Sequence, residues 1–335
     1  MAIISRAFPV TSILTLLAAF ALTAPVLAQD PQPTASPSQQ DATETFKVDV
    51  GVVNLFFNVK DKHGLLIPGL KKEDFEIKED GKPQTIKYFT AESNLPLTLG
   101  ILIDTSGSQM RVLPMEQEVG AAFLREVLRD KDLAFLINFD IDVELDQDFT
   151  NSVRDLRSGM DKMKINTGVY GGGPGIGQGP VPISHPKGTL LYDAIYLAAD
   201  EKLKHEVGRK AIIVLTDGED EGSRLKIQDA IEAAQKADTM CYVLLIADRG
   251  GFYQGFGGGA MKKLTEETGG RMIDVGNDQR KLKDAFDQIA SELRSQYSIG
   301  YTPTNSVKDG KFRQVDIATK AGKIQARKGY YATKK

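Results

Sequence analysis

The chain of 335 residues has one cysteine and three histidines. A single cysteine, Cys241, excludes an internal disulfide, so stability must come from packing. It lies in the apolar run "CYVLLIAD" and reads as a buried core residue. His63, His185 and His205 are isolated from one another, and no serine stands in a Gly-x-Ser-x-Gly turn. Ser-His-Asp hydrolysis therefore lacks its frame. A basic excess is also missing. The 42 lysines and arginines face 45 acidic residues, which argues against the basic face of a nucleic-acid binder. The glycine-rich stretch "GVYGGGPGIGQGPVP" (168–182) lacks a Gly-Lys-Ser/Thr ending, so no nucleotide site is expected there. It reads as a mobile rim loop that shapes partner choice.

What is present is ordinary for a globular chain: 41% hydrophobic and 26% charged residues. The length allows roughly two domains of about 150 residues. Residues 1–28, "MAIISRAFPVTSILTLLAAFALTAPVLA", combine one basic residue, an apolar middle and a small-residue end, the pattern of a secretory signal peptide. Pro9, Thr11, Ser12, Thr15, Thr23 and Pro25 break the apolar run and make it a poor membrane span. The expectation is an exported protein, periplasmic or secreted, with membrane attachment only if the signal stays uncleaved. Residues 29–45, rich in proline and small polar residues, read as a disordered linker.

Residues 46–95 change character. Phe46, Val48, Val50 and Val52 alternate as one face of a half-buried strand, with a register change near Asn54. Glu79-Asp80-Gly81 separates two alternating runs and signals a hairpin. From Leu97 the pattern becomes strand and helix in turn. Strands are expected at 97–104, 132–139, 143–149, 209–217, 241–248 and 271–275. Helices are expected at 114–130, 151–164, 190–205, 224–237, 258–268 and 278–294. Val119, Phe123 and Val127 form one apolar stripe on the first helix. Such alternation predicts an α/β fold with a doubly wound, mainly parallel sheet over 96–295. Residues 296–335 return to three short β runs. With the N-terminal flank they are expected to complete a small all-β module around the inserted α/β domain.

The stretch "ILIDTSGSQM" (101–110) ends a nearly continuous apolar run in Asp104, followed by Ser106 and Ser108. A buried parallel strand reads this way, and open α/β folds keep ligand sites at the carboxyl edge of the sheet. Thr189 opens a helix in "KGTLLYDAIYLA", and Asp217 ends the strand "AIIVLTDGED". All five side chains offer oxygen, which suits a hard cation: Mg²⁺ first, with Mn²⁺ or Ca²⁺ as further candidates. Two carboxylates and three hydroxyls leave room for an outside ligand, and an acidic group would complete the shell well.

The order Asp104-x-Ser106-x-Ser108, then Thr189, then Asp217 resembles the metal-ion-dependent adhesion site of von Willebrand factor type A domains. The resemblance covers about residues 96–295. The flanks resemble those of exported bacterial proteins related to that family, a group abundant in Acidobacteria. It implies that Ser106 and Ser108 ligate the metal, Thr189 ligates directly or through water, and Asp104 and Asp217 hold metal-bound waters and the serine hydroxyls. It further implies a non-enzymatic module that binds a protein partner through the partner's carboxylate.

Two other readings of the residues remain. In one, the chain is an envelope scaffold whose metal only stabilises the fold. In the other it is a divergent hydrolase. The hydrolase reading is weakened because a haloacid dehalogenase-type phosphatase needs a second acid where this chain has Ser106. Glu219, Asp220 and Glu221 either tune the field at the metal or form a solvated helix start. Phe252, Tyr253 and Phe256 in "GGFYQGFGGGA" (250–260) either anchor a partner or pack beneath their own loop.

Overall fold

A computed structural model describes residues 51–91, 94–166, 188–246 and 257–332. The signal segment 1–28, the linker 29–45, His185, the whole glycine-rich stretch 168–182 and the aromatics 252, 253 and 256 lie outside the described residues.

The described chain begins with β1 (Val53–Lys60), β2 (Phe75–Glu79), β3 (Lys82–Gln84) and β4 (Ile86–Thr90). Among the described residues the first strand starts at Val53. Val52 precedes it, Phe46, Val48 and Val50 lie outside the described residues, and Leu55, Phe57 and Val59 are the buried face. The Asp80-Gly81 hairpin forms between β2 and β3, with positive φ at both turn residues, 48° and 77°. Such a turn matches the strand twist. The run beyond the turn does not stay in that hairpin. It divides at Thr85, and β4 pairs with a different strand.

The α/β part follows. β5 (Leu97–Asp104) is buried at every position. Then come α1 (Leu113–Val127), β6 (Leu133–Phe139), β7 (Val143–Thr150), α2 (Val153–Lys162), α3 (Leu191–Leu197), β8 (Arg209–Thr216), α4 (Ile227–Lys236), β9 (Thr239–Leu245), α5 (Gly257–Thr268), β10 (Met272–Asp274) and α6 (Gln279–Arg294). The helix expected over 190–205 is two pieces. α3 runs directly into a π-turn, Ala198–Leu203.

Local chemistry accounts for several of these ends. Pro114 sits in the first turn of α1, where no backbone donor is needed. Ser152 caps α2 by accepting from the Asp155 amide, and Asp278 caps α6 by accepting from the amides of Arg280 and Lys281.

The six-stranded sheet has the order β10-β9-β8-β5-β6-β7, with every neighbour parallel except the edge pair β6 and β7. The order runs outward in both directions from β5 and β8, so the winding across the sheet reverses between those strands. This is the doubly wound arrangement, and the switch point lies between β5 and β8. Leu124, Phe123, Leu156, Met160, Leu282 and Phe286 from α1, α2 and α6 pack on one face. Leu191, Ile195, Ala230, Ile231, Met261 and Leu264 from α3, α4 and α5 pack on the other. Burial on both faces explains why the strands read as continuous apolar runs.

The chain ends in β11 (Tyr297–Tyr301), β12 (Phe312–Thr319), β13 (Lys323–Ala326) and β14 (Gly329–Tyr331). With the first four strands they form two antiparallel sheets, β13-β1-β11-β4 and β14-β12-β2-β3. The two share a core of Leu55, Phe57, Phe75, Ile77, Tyr297, Ile299 and Tyr301. Glu292 near the end of α6 is 2% exposed, and its carboxylate binds Lys60 of β1 at 2.8 Å, Arg271 at 2.7 Å and Gln325 of β13 at 3.0 Å. This buried knot joins one β sheet to the α/β part. Among the described residues no helix is long and apolar enough to cross a membrane.

Candidate metal centre

Asp104 is the last residue of β5 and is fully buried. Its Oδ1 accepts from the Ser106 amide at 3.0 Å. Its Oδ2 accepts from the Thr216 hydroxyl at 2.8 Å. The chain then turns through a short 3-10 segment, Gly107–Gln109. Ser106 stands at the start of that turn, but its hydroxyl caps no backbone amide. Instead the Ser106 and Ser108 hydroxyls lie 3.0 Å apart, and the Gln109 side-chain amide donates to Ser108 Oγ at 3.4 Å. Capping therefore explains the Asp104 turn and leaves the paired serine hydroxyls unexplained.

Asp217 follows β8 directly, and its Oδ1 accepts from the Glu219 amide at 3.1 Å. Thr189 is buried in the segment leading into α3. That segment is clamped from both sides. The Glu221 amide donates to the Thr189 carbonyl at 3.1 Å, and the Leu190 amide donates to the Asp140 carbonyl at 2.8 Å. The loops after β6 and β8 thus fix the Thr189 segment at the carboxyl edge of the sheet. Hydrogen bonds link Asp104, Ser106 and Ser108 to one another. Asp217 interacts with Asp104 through charge. Thr189 is held at this edge by its backbone.

The acidic loop beyond Asp217 has a definite use in one of its members. Asp220 accepts from the Tyr192 amide at 3.0 Å and so caps the start of α3. Asp193 in turn accepts from the amides of Arg224 and Leu225 and pins the far side of the loop. Burial, then Asp217, then Glu221 raise the carboxyl of Glu219 above its ordinary range.

Three residues at this edge were not singled out from the sequence. Thr216 holds Asp104, as above. Gln109 is 1% exposed, and among the described residues its Oε1 has no donor. Glu116 in the first turn of α1 is 0% exposed, and among the described residues neither of its carboxylate oxygens has a donor. A signal for Glu116 was available: it lies on the same stripe as Val119, Phe123 and Val127, a charged residue at an apolar position.

The electrostatics are unfavourable as the protein stands. Burial first, and then the Asp217 carboxylate, push the Asp104 carboxyl up to about 7. Burial, then Asp104, then Asp217 hold Glu116 well above the usual carboxylate range. No lysine or arginine among the described residues pairs with Asp104 or Glu116. Like charges so placed favour protonation unless a cation joins them. Oxygen donors, paired hydroxyls and unpartnered acceptors all fit a hard divalent cation. Among the described residues no three His, Cys, Asp or Glu side chains form a metal cluster. Hydroxyls would therefore have to provide part of the coordination.

No family model matches the sequence, and no curated protein matches it. Solved structures do. One is the conserved hypothetical protein BatB from Bacteroides thetaiotaomicron, at 19% identity and TM-score 0.45, covering 59% of this chain and 100% of that one. Another is the VWA domain of SpRpn10, at 12% identity and TM-score 0.41, covering 58% and 95%. A third is proximal thread matrix protein 1 from the mussel byssus with a zinc-occupied MIDAS motif, at 14% identity and TM-score 0.48. It covers 64% of this chain, which spans half of that protein's length. By its own sheet order, its antiparallel edge strand and the position of the Asp104 loop at the switch point, the chain has the doubly wound, mainly parallel α/β fold expected from its sequence.

Proposed function

We propose that this protein is a metal-dependent binding module of the bacterial envelope or secretome, whose partner is a protein offering an acidic group. The observation that carries the reading is the buried Asp104 beside the Ser106–Ser108 hydroxyl pair, with Asp217 close enough to raise its carboxyl. Ser106, Ser108 and Thr189 would hold the cation, and Asp104 and Asp217 would orient the hydroxyls and bound water. When bound, a divalent cation such as Mg²⁺ supplies the positive charge that attracts a partner's carboxylate. Mn²⁺ and Ca²⁺ suit the same oxygens.

The reading is non-enzymatic. Asp104 is committed to the Ser106 amide and the Thr216 hydroxyl, and no second acid stands two residues on to serve a phosphotransfer. Export rests on the pattern of residues 1–28.

The test has two parts. Titration calorimetry with Mg²⁺ should show one site, lost in Asp104→Ala and Ser106→Ala. Envelope extract passed over the immobilised chain should yield a protein retained with Mg²⁺ and released by chelator. Absence of metal binding at millimolar Mg²⁺ would overturn the proposal. Metal binding with identical captures in Mg²⁺ and in chelator would leave the cation as a stabiliser of the fold, a role favoured by the burial of Asp104 and Glu116.

A further inference from the structure

The first turn of α1 turns a carboxylate inward. Glu116 is 0% exposed, while Glu118 and Arg125 on the same helix are exposed. Its position on the helix is an apolar one, shared with Val119, Phe123 and Val127, all buried. A leucine or methionine there would extend the stripe. A carboxylate instead brings two oxygens into a region where neither finds a donor among the described residues. Buried carboxylates are ordinarily paired or hydrogen-bonded, or they face a metal.

The surroundings of Glu116 are negative. Its carboxyl responds to two other charges, the carboxylates of Asp104 and Asp217. The helix is tied to the metal loop by short steps: the Val112 amide donates to the Gln109 carbonyl at 3.0 Å, and the Glu116 amide donates to the Val112 carbonyl at 3.0 Å. Gln109, two turns nearer the serines, has its own Oε1 unpartnered among the described residues and reaches Ser108 Oγ through Nε2. Among the described residues, three buried acceptor oxygens, one on the serine turn and two on α1, therefore have no donor.

We propose that Glu116 is a third carboxylate of the metal centre, reaching the cation through bound water rather than as a direct ligand. This rests on the reading of the site as a metal centre and deepens it. The indirect role follows from two observations. Asp104, Asp217 and Glu116 do not converge as a ligating cluster, and a hard cation such as Mg²⁺ keeps several of its waters. Waters on the ion are donors, and Glu116 and Gln109 offer the unsatisfied acceptors to receive them. With three carboxylates around a double positive charge, the site holds its ion firmly before any partner arrives.

The experiment compares the full chain with Glu116→Gln, Glu116→Asp and the exposed control Glu118→Gln. Mg²⁺ and Mn²⁺ affinities are measured by calorimetry, and melting temperatures are taken in Mg²⁺ and in chelator. Loss of an outer carboxylate should weaken metal binding about 10- to 100-fold in Glu116→Gln. Glu116→Asp, which keeps the charge, should lie between it and the parent, and Glu118→Gln should match the parent. The metal-linked rise in melting temperature should shrink in the same order. Parent-like affinity in both Glu116 variants would overturn the proposal. So would failure of both variants to fold with and without metal, since Glu116 would then serve the fold itself. A parent chain that binds neither ion would remove the metal reading altogether, whereas parent binding with unchanged variants would remove only the part assigned to Glu116.

Discussion

Thr216 Oγ1 donates to Asp104 Oδ2 at 2.8 Å, joining the ends of β8 and β5 across 112 residues of sequence. The same hydroxyl oxygen accepts from the Gly218 amide at 3.0 Å. One threonine thus fixes the orientation of the Asp104 carboxylate and the first turn of the Asp217 loop.

Thr216→Val keeps the shape and removes both bonds. Because Asp104 is fully buried, its Oδ2 would be left without a donor. The expected loss is about 1–3 kcal/mol of unfolding free energy. Urea denaturation in chelator measures it, and metal affinity should fall in parallel because the carboxylate is no longer held.

Stability in chelator should depend on pH through Asp104. Its carboxyl keeps a proton up to about pH 7 in the fold, against the ordinary value of 3.8. Between those values the folded chain holds a proton that the unfolded chain has released. The contribution is therefore complete below about pH 4 and is lost as pH rises through 7. Thermal melts from pH 4.5 to 8 should show the decline in the parent, and Asp104→Asn should flatten it.

Cys241 should be inert in the folded protein. It is fully buried, and burial pushes its thiol up to about 12. A disulfide-exchange reagent at pH 8 should react at the rate of unfolding, and a rate that rises steeply with reagent concentration would contradict this.

Glu292→Ala should be among the more damaging single changes. It removes the acceptor shared by Lys60, Arg271 and Gln325 and leaves Lys60, whose ammonium is already disfavoured first of all by burial, without its counter-charge. The expected cost is about 3–5 kcal/mol, read from denaturant midpoints. A loss below about 1 kcal/mol would mean that the knot contributes little to joining β1 and β13 to α6.

The elements of the α/β part were legible because each announces itself locally. β5 reads as a continuous apolar run, and all eight of its residues are buried. α1 reads as a stripe of period near 3.6, and its buried residues include Val119, Phe123 and Val127. The flanks were less legible. β1 pairs with β11, Val53 opposite Tyr301, and with β13, Phe57 opposite Ala326. Its register is set by partners far along the chain, which the local pattern does not name. The division of the hairpin run at Thr85 has the same origin, since β3 follows β2 while β4 follows β11. Alternation shows which residues share a face but not which strand lies beside them.

At the candidate metal centre, the sequence alone determined the order of oxygen-bearing residues and their position at the ends of buried strands. That information is local, since an apolar run ending in an aspartate shows where a parallel strand stops. Only the tertiary structure decided that Thr216 orients Asp104, that Asp220 caps α3, and that Glu116 enters the field of Asp104 and Asp217. Each of these depends on distance in space between elements separated in sequence. A charge on a helix face gains its meaning only when packing has removed the water around it and fixed which charges remain nearby.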